Sequence, residues 1–159
     1  MKFNNKYIPF LAIVPIAFIF LGFKKSTVKG VFSLPKRDCD AGGCGYYGAS
    51  RGSRLHKGVD YLIAKGENVY SFKGDLKVKR YVDPYGDGVY SGVELVEVAT
   101  GVVYKIMYMQ PTVMPGALIS KGQKLGVAQD ISEKYSSVQP HLHIEVLVNG
   151  QHVNPSTYL

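Results

Sequence analysis

The most regular alternation of polar and apolar side chains in this 159-residue chain is His141-Leu142-His143-Ile144-Glu145-Val146. Because successive side chains of a β-strand point to opposite faces, we expect the two histidines and Glu145 to share one face. Leu142, Ile144 and Val146 then point the other way. This pattern predicts a strand that lines a polar site with one face and packs into an apolar core with the other.

Other runs of β-branched and aromatic residues, separated by turn residues, accompany this strand. They predict strands at residues 59–64, 68–72, 76–82, 92–99, 102–109, 124–129 and 142–148. Thr100-Gly101 and Asn149-Gly150 are two-residue breaks typical of β-hairpins. No helical periodicity of useful length follows the first 25 residues. We therefore predict a single all-β domain.

The first 25 residues differ from the rest in composition. Residues 7–23 carry no charge and lie between Lys6 and Lys24. An apolar core of about 7–15 residues is typical of a signal peptide, and a spanning helix needs about 17–25. Residues 1–25 are predicted to be a signal peptide or a membrane anchor, followed by a linker at 26–38 and the domain at 39–159. Both alternatives predict an extracytoplasmic domain, secreted, periplasmic or tethered to the membrane by this segment.

The positive charge is concentrated in that leader. The chain has a formal net charge of +7, of which residues 1–25 contribute +4 and the remainder +3. Most of the basicity therefore belongs to the export segment, and we predict no nucleic-acid partner.

Two cysteines, Cys39 and Cys44, flank a short loop that contains two glycines. A disulfide is expected between them if the domain lies in an oxidising compartment. The alternative is a metal site that uses both thiols, although their spacing differs from the two-residue gap of zinc knuckles.

A second polar group lies far upstream of the histidine strand. His56 and Asp60 would be about 13 Å apart along a straight strand, so they share a ligand only if the chain folds back, for example at Gly58. Two histidines and one carboxylate form a known catalytic zinc set that leaves one position open for water. Each histidine could equally be an ordinary core or surface residue, and His152 is interpreted as a surface residue.

These motifs resemble those of the lysostaphin/LytM-type zinc metallopeptidases. The resemblance rests on His56-x-x-x-Asp60, on His141-x-His143 and on residues 119–126 between them, Ile-Ser-Lys-Gly-Gln-Lys-Leu-Gly. It implies an antiparallel β-sheet or sandwich with an active-site groove. It also implies one zinc ion per chain, bound by His56, Asp60 and His143.

The same resemblance implies catalytic roles and a ligand. His141 would act as general base or transition-state stabiliser. The ligand would be a peptide of bacterial peptidoglycan or another extracellular peptide, and the reaction would be hydrolysis of a peptide bond.

One position departs from the family pattern. Tyr108 stands where these enzymes usually have a histidine, at the end of a central strand. A neutral phenol can donate a hydrogen bond to a developing oxyanion but is a poor base near neutral pH. Residues 39–51, 107–111 and 154–159 resemble the leukocyte cell-derived chemotaxin branch of this fold, which implies an alternative: a zinc-binding signalling domain without activity.

Overall fold

The computed structural model describes residues 33–159. The predicted leader and residues 26–32 of the predicted linker lie outside the described residues. Among residues 33–159, no helix has the length and apolar character needed to cross a membrane.

The described residues form strands and short 3₁₀ turns, which confirms the prediction of an all-β fold. The strands, in chain order within residues 33–159, are β1 (Cys39–Asp40), β2 (Gly43–Cys44), β3 (Ser50–Arg51), β4 (Arg54–Leu55), β5 (Gly58–Leu62), β6 (Asn68–Tyr70), β7 (Leu76–Val82), β8 (Gly92–Glu97), β9 (Val103–Met107), β10 (Met109–Pro111), β11 (Leu118–Ile119), β12 (Lys124–Ala128), β13 (His141–Val148) and β14 (Gln151–Val153). Two 3₁₀ turns, Ile131–Glu133 and Pro155–Thr157, follow β12 and β14.

A seven-stranded antiparallel sheet forms the main body of the domain. Its order is β11-β7-β8-β9-β13-β14, and β5 pairs with the first half of β13. A second sheet, β10-β12-β6, packs beside it, and two hairpins, β1-β2 and β3-β4, lie near β5. The predicted disulfide between Cys39 and Cys44 is present and joins β1 to β2. Strand β13 is flanked by β9 on one edge and by β5 and β14 on the other.

The alternation predicted for residues 141–146 is present in β13. Leu142, Ile144 and Val146 are fully buried in the hydrophobic core. His143 and Glu145, on the opposite face, are partly exposed. The sheet therefore has one face committed to the core and one face available for a polar site.

One predicted turn is confirmed, and one predicted strand is interrupted. Asn149-Gly150 is a two-residue hairpin between β13 and β14, and both residues have positive φ, 49° and 78°, as such turns require. The run predicted as one strand at 102–109 is instead broken at Tyr108, which has φ of 67°. There the chain leaves the large sheet as β9 and enters the small sheet as β10, a change of direction that the β-rich composition of the run does not reveal.

The packed domain begins before the predicted boundary at residue 39. Lys36 pairs with Tyr61 of β5 in an isolated bridge, and Leu62 N–H donates to the Pro35 carbonyl. Arg37 is 3% exposed. Residues 35–37 thus extend the edge of β5, so the end of the predicted linker is part of the fold.

Candidate metal centre and active-site groove

Three predicted ligands converge on one point of the polar face. Antiparallel pairing sets His143 of β13 directly opposite Asp60 of β5, and Nδ1 of His143 lies 2.8 Å from Oδ1 of Asp60. His56 precedes β5, and its Nε2 lies 3.1 Å from the same oxygen and 2.9 Å from His143 Nδ1. The structure therefore brings together all three residues that the family resemblance implies as ligands.

Gly58 does not make the expected fold-back between His56 and Asp60. It is the first residue of β5 and has an extended backbone. His56 reaches the site because its backbone is fixed further upstream: its N–H donates to the Ala49 carbonyl, and its carbonyl accepts from Gly48 N–H. A Cβ atom at Gly58 would meet His143 Cε1 at 2.7 Å, so this glycine makes room for the imidazole.

The spacing of the three donor atoms fits a small tetrahedral cation. They form a triangle with sides of 2.8, 2.9 and 3.1 Å. A tetrahedral zinc site with bonds of about 2.0–2.1 Å has edges of about 3.3 Å. The triangle is slightly tighter than this, and small side-chain shifts would open it to that size.

The outer nitrogen of each ligand histidine has a hydrogen-bond acceptor. Nδ1 of His56 donates to the Tyr46 carbonyl at 2.8 Å, and Nε2 of His143 faces Oε1 of Glu145 at 3.4 Å. When these outer nitrogens carry the protons, the inner nitrogens, Nε2 of His56 and Nδ1 of His143, present lone pairs to each other and to the Asp60 carboxylate. Such an arrangement needs a cation or a shared proton between the three groups, and it matches the outer-shell pattern of metal-binding histidines.

The electrostatics of the site agree with this interpretation. Burial would raise the pKa of Asp60, but the adjacent His143 and His56 rings lower it below its ordinary range. Burial would lower the pKa of His143, but the hydrogen bond to Asp60 raises it overall. Without a metal, a proton on His143 is thus stabilised by Asp60, and a metal cation would replace that proton.

His141 occupies a different position from the three ligand candidates. Its Nδ1 donates to the Gln139 carbonyl at 2.6 Å, so Nε2 carries the lone pair. That nitrogen points into the site, 3.7 Å from Asp60 Oδ1. Burial lowers the pKa of His141, which keeps the ring neutral near pH 7. A neutral imidazole with a free lone pair beside a metal site can accept a proton from water.

Tyr108 lies beside His141 on the wall of the site. The two rings meet edge to face at 5.3 Å between centroids. The Tyr108 hydroxyl lies 3.1 Å from that of Tyr85, and the two phenol rings are stacked. Burial raises the pKa of Tyr108, so the phenol stays protonated and can donate a hydrogen bond.

An open groove of about 580 Å³ surrounds these groups. Besides the histidines and Asp60, its lining includes Arg54, Tyr85, Tyr135 and Val138. Aromatic and cationic side chains therefore flank the candidate metal site, and the groove has room for a short peptide.

Sequence reasoning missed or misjudged two contributors. Arg37, assigned to the linker, contacts Asp60 through its buried guanidinium. His152, interpreted as a surface residue, is half-buried, and its Nε2 lies 3.0 Å from Glu145 Oε2. Neither belongs to a recognisable motif: Arg37 reaches the site through tertiary packing, and His152 through the β13–β14 hairpin.

Comparison with known proteins identifies the family. Residues 54–155, well over half of the chain, match the model of peptidase family M23. The chain belongs to peptidase family M23. The ligand candidates and His141 all fall within the matched M23 region.

Curated relatives match most of this chain. Leukocyte cell-derived chemotaxin-2 of Bos taurus and that of Mus musculus are each 36% identical over 126 residues, which cover 77% of this chain and 78% of theirs. Myeloid protein 1 of Gallus gallus is 34% identical over 113 residues, 69% of this chain and 34% of that protein. At 34–36% identity, these relatives are nearer in sequence than the solved structures described next.

Solved structures show the same fold. The catalytic domain of the antimicrobial peptidase lysostaphin from Staphylococcus simulans superposes with a TM-score of 0.61 at 23% identity, covering 80% of this chain and 93% of that one. The catalytic domain of the prophage-encoded M23 protein EnpA from Enterococcus faecalis, solved as a single-residue mutant, gives 0.56 at 24% identity, covering 79% and 92%. The predicted LytM-type fold is therefore confirmed.

Proposed function

We propose that this chain is an exported zinc metalloendopeptidase that hydrolyses peptide bonds of cell-wall peptidoglycan. The observation that carries the proposal is the convergence of His56, Asp60 and His143, with the free Nε2 of His141 3.7 Å from Asp60 Oδ1. Family membership supports a peptidase, and the Cys39–Cys44 disulfide supports an oxidising, extracytoplasmic location.

In this proposal the chain binds one zinc ion through His56 Nε2, Asp60 Oδ1 and His143 Nδ1. Zinc, when bound, lowers the pKa of a water molecule to about 7 and polarises a carbonyl group. His141 accepts the proton of the attacking water at Nε2 and later delivers it to the leaving amine. Tyr108 donates its hydroxyl proton in a hydrogen bond to the oxyanion that develops on the substrate.

The test is turnover of purified peptidoglycan and of glycine-rich peptides by the zinc-loaded chain. New amino termini are counted by mass spectrometry, with His141→Ala as the matched inactive control. We expect the wild type to release peptide fragments well above the control. Equal release by both proteins, at one bound zinc per chain, would overturn the hydrolase proposal.

One observation favours a second function, a zinc-binding ligand or signalling domain without hydrolysis. Tyr108 occupies the position of the usual second active-site histidine, and the 36% identical relatives carry the name chemotaxin. This alternative predicts that the wild type is inert and that Tyr108→His, which restores an imidazole there, gains turnover. Continued inertness of Tyr108→His would show that the tyrosine is not the cause.

A further inference from the structure

We infer that Arg37 is a positioning residue of the metal centre, which confines Asp60 to coordination through a single oxygen. The inference rests on the metal site of the proposed function but concerns how Asp60 is presented, and it does not depend on hydrolysis.

The two oxygens of Asp60 have separate partners. Oδ1 faces the two ligand histidines, at 2.8 and 3.1 Å. Oδ2 accepts two hydrogen bonds from Arg37, from Nη2 at 2.8 Å and from Nε at 3.2 Å. The carboxylate is thus divided between a metal-facing oxygen and an oxygen bound by a cation.

Arg37 is itself fixed on all sides. Its guanidinium is 2% exposed, and Nη1 donates to the Gly43 carbonyl at 2.9 Å and to Asp40 Oδ2 at 2.5 Å. Its backbone N–H donates to the Asp60 carbonyl at 2.9 Å. A buried arginine with this many partners cannot swing away without leaving polar groups unsatisfied.

The anchoring extends to the other side of the groove. Asp40 accepts from Gln139 N–H at 3.1 Å, and the Gln139 carbonyl in turn orients His141. Cys39 and Cys44 close the hairpin that carries Asp40 and Gly43. The disulfide hairpin therefore holds Arg37, which orients Asp60. Through Asp40 it also holds the Gln139 backbone, which orients His141.

The chemical consequence is a restricted coordination number. Carboxylates bind some metals through both oxygens, and calcium sites commonly use this mode. With Oδ2 committed to Arg37, Asp60 contributes one donor atom, and three protein donors remain. Three donors plus solvent or substrate give the open tetrahedral site typical of catalytic zinc.

Cobalt(II) provides the test, because its visible absorption is strong in tetrahedral sites and weaker at higher coordination numbers. We expect the wild-type chain loaded with Co²⁺ to show the intense tetrahedral spectrum. Arg37→Met frees Oδ2 to bind the metal, and the absorption per bound ion should fall several-fold. Arg37→Lys retains a charge and a donor, and it should recover most of the intensity.

Arg51→Met is the matched charge control. Arg51 Nη2 lies 3.6 Å from the same Asp60 oxygen but donates its short hydrogen bond to the Cys44 carbonyl. Its loss removes a neighbouring charge without freeing Oδ2, so the Co²⁺ spectrum should stay as in the wild type. An unchanged spectrum for Arg37→Met, or an equal change for Arg51→Met, would overturn the inference.

A measurement on the wild type covers the case in which Arg37→Met does not fold. In a crystal structure of the zinc-loaded chain, Asp60 Oδ1 should bind the metal while Oδ2 remains hydrogen-bonded to Arg37. Both oxygens at bonding distance, or no bound metal, would contradict it. A changed spectrum in a chain without turnover would refute the hydrolase and leave the role of Arg37 standing.

Discussion

The space beside His143 admits only a residue without a side chain at position 58. Gly58 lies under the imidazole, and any side chain there meets both the ring and the Ile144 carbonyl. The carbonyl belongs to the β13–β5 pairing, so it cannot move aside without disturbing the sheet that aligns His143 with Asp60.

We expect Gly58→Ala to weaken metal binding and to destabilise the domain. Overpacking of a close contact typically costs about 1–3 kcal/mol in stability. The measurements are the zinc dissociation constant and the free energy of unfolding. Gly101→Ala serves as a control, because Gly101 has open space around its Cα but a φ of 73°; it should lose stability through backbone strain alone and retain metal affinity. Equal zinc affinity for Gly58→Ala and wild type would contradict the packing argument.

Tyr108 lines the groove, where its protonated hydroxyl can donate a hydrogen bond. If its hydroxyl donates to the substrate oxyanion, Tyr108→Phe should lower kcat about 10²- to 10³-fold, the usual effect of losing one such donor. KM and zinc content should change little, since the ring remains. Steady-state kinetics on a peptide substrate provide the measurement. A kcat equal to that of the wild type would remove Tyr108 from the mechanism.

At the scale of elements, the pairing of β7 with β8 contains a buried carboxylate that links stability to pH. Glu94 is 3% exposed and forms ion pairs with Lys79 at 2.9 Å and Arg80 at 2.6 Å. Burial would raise its pKa, but these two partners lower the pKa below its ordinary value. The ionised form is therefore favoured in the folded state.

A lowered pKa in the folded state contributes stability above the unfolded-state value of about 4.3, and this contribution is lost as the pH falls through the folded value. We expect Glu94→Gln to lower Tm most at pH 7, with the deficit shrinking below about pH 4. The measurement is the Tm of both proteins by thermal unfolding from about pH 3 to 7 at a fixed zinc concentration. Glu67→Gln, at an exposed glutamate without an ion pair in the described part of the chain, is the control. A deficit independent of pH would contradict the linkage.

The longer elements could be predicted from the sequence, and the short ones could not. Residues 76–82 form a strand with the predicted bounds, because Leu76, Val78 and Val82 supply buried apolar positions between clear turn signals. Strands of two residues, such as β1 and β3, carry no periodicity and depend on tertiary contacts. The bend at Tyr108 was also hidden, since a bulky residue with positive φ is disfavoured locally and is stabilised by packing against Tyr85.

The whole molecule shows why the site was only partly predictable. His141, His143 and Glu145 follow from the strand period, but their meeting with His56 and Asp60 depends on the register between β13 and β5. Register between distant strands is a property of the folded chain. Arg37 could not be predicted for the same reason, because its segment, residues 35–37, joins the fold only by pairing with the edge of β5.

The proposed hydrolase, the alternative signalling domain and the role of Arg37 all require a zinc ion bound at this site. The most direct measurement is the zinc content of the purified chain after exhaustive dialysis at neutral pH, determined by mass spectrometry alongside Asp60→Ala. We expect one zinc ion per wild-type chain and almost none in Asp60→Ala. A folded wild-type chain without zinc, or equal zinc in both proteins, would contradict it.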